Sequence, residues 1–299
     1  MTNERATWRD PALGEGRDLD LPQGRIRVFE AGTGEPIVFV HGFLVNANLW
    51  RKVVARLAPD FRCVALDLPL GSHTLPMPEG ADLSVYGLAD LIADAIEELG
   101  LGDVTLVGND TGGALCQVVV TRRPERIGRL VLTSCDYRDN FPPAMFSYFK
   151  PVARVPGLMK LALAPMRFAA PRHLPMTIGW LVKRTIDRVA EDSYLYPAMG
   201  GGGIERDVKK AIRGFDTRYT NEAADRLGGF DKPALIAWSR EDRLFKPAHA
   251  EALARDLPNA RLEWVDDART FSMEDNPQRV AELIAGFVRE PAPSPAPAG

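Results

Sequence analysis

Residues 104–116, V-T-L-V-G-N-D-T-G-G-A-L-C, change character halfway along. The β-branched run from Val104 to Val107 halts at Gly108, and after one polar turn Ala114, Leu115 and Val118 recur at helical spacing. The stretch predicts a strand, a sharp elbow and a helix. Asp110 stands at the tip, with Gly108 and Gly112 two positions to either side. So tight a turn strains the backbone of its central residue and leaves no room for Cβ atoms on the flanks, which is the reason for glycine at both places. The Asp110 side chain is then expected at the mouth of a sheet, above a helix N-terminus whose unpaired N–H groups favour negative charge. A carboxylate in that position can attack carbon directly and form an ester, which suits displacement at an sp³ centre such as an epoxide or alkyl halide. Glycine-flanked aspartates also occur in ordinary turns, so the reading depends on what surrounds the motif.

Upstream, R-I-R-V-F-E-A-G-T-G-E-P-I-V-F-V-H-G (25–42) reads as two strands joined by a glycine-containing turn, preceded by a polar leader. The second strand is apolar at every position from Ile37 to Val40, as expected for a strand covered on both faces, and it ends in His41-Gly42-Phe43. Residues 48–58 have helical spacing, 62–69 form the next buried strand, and 85–99 make an amphipathic helix that leads into the Asp110 strand. Strands at 234–239 and 261–265 and a closing helix at 277–289 follow further on. Strands alternating with helices at this spacing predict an α/β fold with a mostly parallel central sheet flanked by helices. Ligands of such sheets sit at the carboxyl ends of the strands, where His41, Asp67 and Asp110 all fall.

With those elements in place the chain resembles the α/β-hydrolase superfamily over most of its length. H-G-F (41–43) is similar to the family's oxyanion loop, D-L-P-L-G-S-H (67–73) to its D-x-P/R-G turn and G-N-D-T-G-G (108–113) to its nucleophile elbow. R-P-E-R-I-G-R-L-V-L-T-S (123–134) resembles the helix end and strand that come next. W-S-R-E-D-R-L-F-K-P (238–247) resembles the acid-bearing turn, and D-A-R-T-F-S-M-E-D-N-P (267–277) the terminal D-x-G-H-F-x-x-E-D-x-P. An aspartate at the elbow places the chain nearest the epoxide hydrolase and haloalkane dehalogenase branch. The resemblance implies Asp110 as nucleophile, Phe43 and Thr111 as backbone donors of an oxyanion hole, and Asp136 or Asp242 as the supporting acid.

Three departures narrow the analogy. Haloalkane dehalogenases hold the leaving halide with an Asn after H-G and a Trp after the nucleophile, and here those positions are Phe43 and Thr111. Neither side chain supplies an amide or indole N–H. Epoxide hydrolases donate to the epoxide oxygen from cap tyrosines, for which Tyr148, Tyr194, Tyr196 and Tyr219 are the candidates, with His41 as a further substrate contact. Tyrosines in an apolar lid also serve simply as packing residues with a wet hydroxyl. The third departure is the largest: Thr270, preceded by Arg269, occupies the position of the catalytic histidine. The four histidines lie elsewhere, His41 in the oxyanion loop, His73 after the D-L-P-L-G turn, His173 in the lid and His249 on an exposed-looking helix; of these His73 is the candidate replacement base. Hydrolysis of an ester on Asp110 needs a base near neutral pKa, which threonine is not, and losing one costs about 10²–10⁴-fold. Asp110 itself, partly desolvated under a lid, could instead act as a general acid or base.

Between Tyr137 and Thr220 aromatics, prolines and methionines appear in short helical stretches (155–166, 176–189 and 204–214), with G-G-G at 201–203 as a break. This resembles the family's inserted helical cap, giving a core of 1–136 and 221–290, a cap of 137–220, and a disordered Pro/Ala tail at 291–299. The 299 residues suffice for a large buried core, and a net charge of −3 leaves no basic footprint for nucleic acid. Cys63, Cys116 and Cys135 sit in apolar runs without metal-ligand spacing and read as buried thiols. The expected setting is therefore cytoplasmic, without cofactor, metal, nucleic acid or membrane, as a monomer or homodimer acting on an apolar small molecule. Three functions fit: a hydrolase opening an epoxide or related C–X bond, a non-hydrolytic isomerase, cyclase or lyase using Asp110 for proton transfer, and a decayed small-molecule-binding protein.

Overall fold

The apolar runs pair into one eight-stranded sheet in a computed structural model that describes residues 4–155, 157–175 and 177–290. Its strands are β1 (Glu15–Leu21), β2 (Gly24–Ala31), β3 (Pro36–Val40), β4 (Arg62–Asp67), β5 (Val104–Asp110), β6 (Ile127–Cys135), β7 (Ala234–Ser239) and β8 (Ala260–Val265). They lie in the order β1-β2-β4-β3-β5-β6-β7-β8. β1 and β2 are antiparallel to their neighbours, while β4, β3 and β5 to β8 run parallel. The parallel strands β3, β5 and β7 are buried almost end to end, as their mostly apolar sequences require. One apolar cluster fills each face of the sheet. Helix Val85–Glu98, with Ser84 accepting from the Gly87 N–H as its N-cap, packs on the elbow helix Thr111–Arg122 beneath one face. Helices Arg51–Leu57 and Pro277–Arg289 pack together over the other.

Two expectations change. The polar leader contains β1, whose first four residues are exposed and only Leu19 and Leu21 buried, so it carries too little apolar alternation to be read as a strand. β8 is half-exposed along most of its length because it is the edge strand, covered by a neighbour on one side only. The three cysteines are buried and free, as their apolar surroundings predict.

The cap follows β6 and is built from short pieces: helices Phe149–Arg154, Leu158–Leu163, Ala169–Arg172 and Ile178–Leu181, then the longer Arg188–Met199 and Gly202–Gly214. The stretch expected as one helix over 176–189 is divided. The Lys183 and Arg184 N–H groups bond the Asp275 carboxylate of the core, at 2.8–2.9 Å, which takes them out of any helix and leaves a bend there. Asp187 then caps a new helix by accepting from Val189 and Ala190. Helix Thr217–Arg226 runs through residue 220 and packs on the elbow helix, adding Ala223 and Ala224 to the core. The tail at 291–299 lies outside the described residues.

Candidate active site

β5 delivers Asp110 to the C-terminal edge of the sheet. The residue has φ 53° and ψ −132°, a conformation costing a non-glycine residue about 1–3 kcal/mol. The elbow survives because its neighbours are small: a Cβ on Gly108 would stand 2.7 Å from both Cys116 Sγ and the Gly113 Cα, and one on Gly112 would stand 2.4 Å from the His41 carbonyl oxygen. Gly42 is equally constrained, since a Cβ there would come within 2.2 Å of Asp110 Oδ2. The backbone of the His41-Gly42-Phe43 loop therefore closes directly on the carboxylate.

Phe43 N–H donates to Asp110 Oδ2 at 3.1 Å, and the Thr111 N–H also bonds the carboxylate. The two groups expected to form an oxyanion hole thus grip Asp110 itself in the resting site. Their stabilisation is outweighed. Burial raises the carboxyl from its ordinary range to about 7, against the pull of the two N–H groups and with a further push from the charge of Asp242.

Asp110 is 9% exposed, and that exposure opens into a cavity of about 320 Å³ between cap and core. The walls are mostly apolar, with Phe43, Phe149, Leu163, Ile178, Phe215 and Phe271 among them. The only charged side chains among the described lining residues are Asp110 and Lys150.

The position implied for the histidine lies behind this wall. Thr270 is fully buried, and its hydroxyl donates to Asp242 Oδ1 at 3.0 Å. The same oxygen accepts the Leu244 and Phe245 N–H groups at 2.7 and 2.8 Å, while Oδ2 finds no partner. Burial raises the Asp242 carboxyl in spite of those bonds and of a further one from Ser134. Asp136, fully buried just past β6, accepts from the Thr111 hydroxyl at 3.3 Å and has an unpartnered Oδ1. Burial, followed by the charge of Asp110, drives its carboxyl well upward. The structure thus brings Asp110, Asp136, Asp242 and Thr270 together around the elbow.

The other candidates are placed elsewhere. His41 does not line the cavity: its Nδ1 meets the Gly42 carbonyl at 2.8 Å, its Nε2 accepts from the Leu68 N–H at 2.9 Å, and burial lowers its pKa to about 4. It is a neutral brace between the oxyanion loop and the turn after β4. His73 Nε2 lies 3.3 Å from Asp207 of the cap, and its Nδ1 accepts from the Gly71 N–H, so both ring nitrogens have local partners. His173 is exposed on the cap and His249 sits on helix Pro247–Asp256; neither lines the cavity. Of the four tyrosines only Tyr148 lines it. Tyr194 is fully buried with its hydroxyl toward Arg51 and Glu274, Tyr219 packs edge-on against Tyr86, and Tyr196 packs against the core on the sheet's other face. Asn109, which the motif reading passed over, ties the elbow in place by donating to the carbonyls of Ser134 and Thr270 at 3.0 and 2.9 Å. An amide between Gly108 and the reactive position was its one visible signal.

An aspartate on a strained strand-to-helix elbow, under two backbone N–H groups and a helical cap, defines an α/β-hydrolase-type site. Residues 35–277 match the family model of the alpha/beta hydrolase fold, and the chain belongs to that family. Among curated relatives it is 28% identical to haloalkane dehalogenase 2 of Mycobacterium tuberculosis over 274 residues, covering 90% of this chain and 93% of that one. It is 27% identical to the uncharacterized hydrolase YugF of Bacillus subtilis, covering 85% and 90%. The solved haloalkane dehalogenase DatA of Agrobacterium tumefaciens superposes with a TM-score of 0.76 at 21% identity, covering 94% of this chain and 99% of that one. An esterase of Thermogutta terrifontis superposes with a TM-score of 0.71 at 22% identity, covering 92% and 98%.

Proposed function

We propose that this chain is an enzyme that opens a polarised C–X bond, an epoxide or a related leaving group, on an apolar small molecule, with Asp110 as the attacking group. The observation that carries the reading is that Asp110, held by the Phe43 and Thr111 N–H groups, is the sole acid among the described residues lining a mostly apolar cavity. Attack forms a bond from a carboxylate oxygen to carbon as the C–X bond breaks, and X leaves as an anion or, from an epoxide, as an alkoxide that takes up a proton. Tyr148, at the cavity rim, is the candidate donor of that proton. The Mycobacterium relative's name supports attack at carbon. Phe43 and Thr111 lack the side-chain N–H groups expected to hold a halide, which favours an oxygen leaving group.

Release of the ester requires water to attack its carbonyl carbon while the Phe43 and Thr111 N–H groups hold the oxyanion. Thr270 cannot take the proton of that water. We assign the task to Asp242, which has a free Oδ2 and a carboxyl raised by burial.

A second reading is favoured by the Asp110 carboxyl near 7 and by the absence of an imidazole among the described lining residues. A carboxyl in that range exchanges protons at neutral pH, so Asp110 would serve directly as general acid or base for an isomerisation, cyclisation or elimination. Intact-mass measurement after incubation with a series of apolar epoxides and alkyl halides separates the two. An adduct mapped to Asp110 supports attack at carbon. Deuterium exchange into a bound ligand without any adduct supports proton transfer, and neither signal with measurable ligand affinity leaves a binding protein.

A further inference from the structure

Every exposed large apolar side chain among the described residues falls in one stretch of the cap: Tyr148, Val155, Leu161, Phe168, Leu174 and Val189. Phe168 is 71% exposed and Leu161 68%, values far from those of a packed lid. Residues 144–189 also hold eight Lys or Arg against the single acid Asp187, a surplus of seven positive charges in a chain whose net charge is −3. Part of that charge is used internally. Arg172 is buried against Glu191 and Asp192, and Lys183 and Arg184 reach Asp267 of the core.

Arg154, Arg167 and Arg188 are exposed and form no ion pair among the described residues. Each is followed directly in sequence by an exposed apolar residue, Val155, Phe168 and Val189 respectively. The pieces carrying them are continuous: helix Phe149–Arg154 packs on Leu158–Leu163, that helix on the turn Ala164–Arg167, and that turn on helix Arg188–Met199.

We propose that this face of the cap docks onto an anionic lipid surface. Large apolar side chains interleaved with arginine are the composition of an element lying in a membrane interface, with the apolar groups at head-group depth and the guanidinium groups on phosphates. Charge decides the occupant. A second copy of the chain meeting this face two-fold would bring unpaired arginines against unpaired arginines, an unfavourable juxtaposition. No helix among the described residues is long and apolar enough to cross a membrane, so the association is peripheral. The lack of such a helix bears on insertion and leaves surface attachment open, which departs from the expectation of no membrane. Tyr148 and Lys150 belong both to this stretch and to the cavity lining, so docking sets the cavity beside the medium in which apolar substrates dissolve.

The test is flotation of the full chain with phosphatidylcholine vesicles and with vesicles also containing phosphatidylglycerol. Binding to the anionic vesicles is expected to exceed that to the neutral ones about tenfold or more, and to be lost at about 0.5 M salt. Combined Arg154→Glu and Arg167→Glu changes are expected to lower it about tenfold or more, and Leu161→Ser with Phe168→Ser to weaken it while leaving the melting temperature unchanged. Equal or absent binding to the two vesicle types overturns the proposal. So does a concentration-dependent dimer by light scattering that Leu161→Ser with Phe168→Ser dissolves, since that assigns the face to a second copy. Should a variant fail to fold, the wild-type comparison of lipids and salt decides alone. Asp110→Asn is expected to float like wild type, which keeps this outcome separate from the reaction assigned to Asp110.

Discussion

Two groups of buried acids in this protein have the same side chains and opposite surroundings. Along the seam between cap and core each carboxylate meets a cation. Arg51 forks onto both oxygens of Glu274, Lys52 reaches the same carboxylate at 2.8 Å, and the Tyr194 hydroxyl closes the group at 3.2 Å. Arg172, with none of its side chain exposed, spans Glu191 and Asp192, and Arg5 reaches Asp192 from outside at 3.0 Å. Glu191, one oxygen of which finds no partner, is pushed up by burial against the pull of Arg172. Around the elbow, Asp110, Asp136 and Asp242 form no ion pair with any described residue, and two of the three carry an unpartnered oxygen. Pairing offsets much of the cost of burial in the first group; in the second the cost surfaces as carboxyls that hold protons too tightly. The paired set holds the molecule together. The unpaired set is where the proposed chemistry is placed.

The contrast can be broken first at Asp110. Asp110→Asn is expected to reduce product formation by about 10⁴-fold or more with ligand affinity unchanged in equilibrium binding, and surviving turnover would move the reaction away from the elbow. Thr270→His comes next. It sets an imidazole beside Asp242, whose Oδ1 already takes the Thr270 hydroxyl, and is expected to speed release of an Asp110 ester about 10²–10⁴-fold in single-turnover experiments. No acceleration would mean that no ester forms or that Asp242 already suffices.

On the paired side, Arg172→Met strands the buried Glu191 carboxylate and is expected to cost about 3–5 kcal/mol in denaturant titration. A pH series extends the comparison to the elbow. The Asp110 carboxyl is near 7 when folded and near 3.8 otherwise, so it is protonated in both states below about pH 4. Between 4 and 7 only the unfolded chain has released the proton, and stability drops as pH rises through that window. Asp110→Asn should therefore be more stable than wild type at pH 8, by about 2–4 kcal/mol, with the gain vanishing near pH 4. The smallest effect belongs to Arg5→Ala. Arg5 is 59% exposed, and removing it is expected to cost less than about 1 kcal/mol by thermal melting.

The core was legible because its signals are local. Apolar runs bounded by turns predict β3, β4 and β7 to within two residues, and the β-branched run stopped by glycine marks the start of β5. Thr270 could be singled out because one position in a motif can be read without coordinates, and the structure sets its hydroxyl on Asp242. What escaped was whatever depends on distant partners. His41, Tyr194 and Tyr219 were plausible ligands by residue type, but their positions are set by Leu68, Glu274 and Tyr86, contacts that periodicity does not encode. The helix at 188–199 was missed for a similar reason. It begins where Asp275, some ninety residues away in sequence, releases the chain from its hold on Lys183 and Arg184.

Because Asp192 is tethered from two sides and Glu274 is clamped beneath Tyr194, helix Arg188–Met199 is the fixed post of the roof. Among the described residues between 144 and 171 no helix exceeds six residues, so any swing that admits a guest is expected there. Amide hydrogen exchange is expected to be fast in the short described helices of that stretch and slow along helix Arg188–Met199.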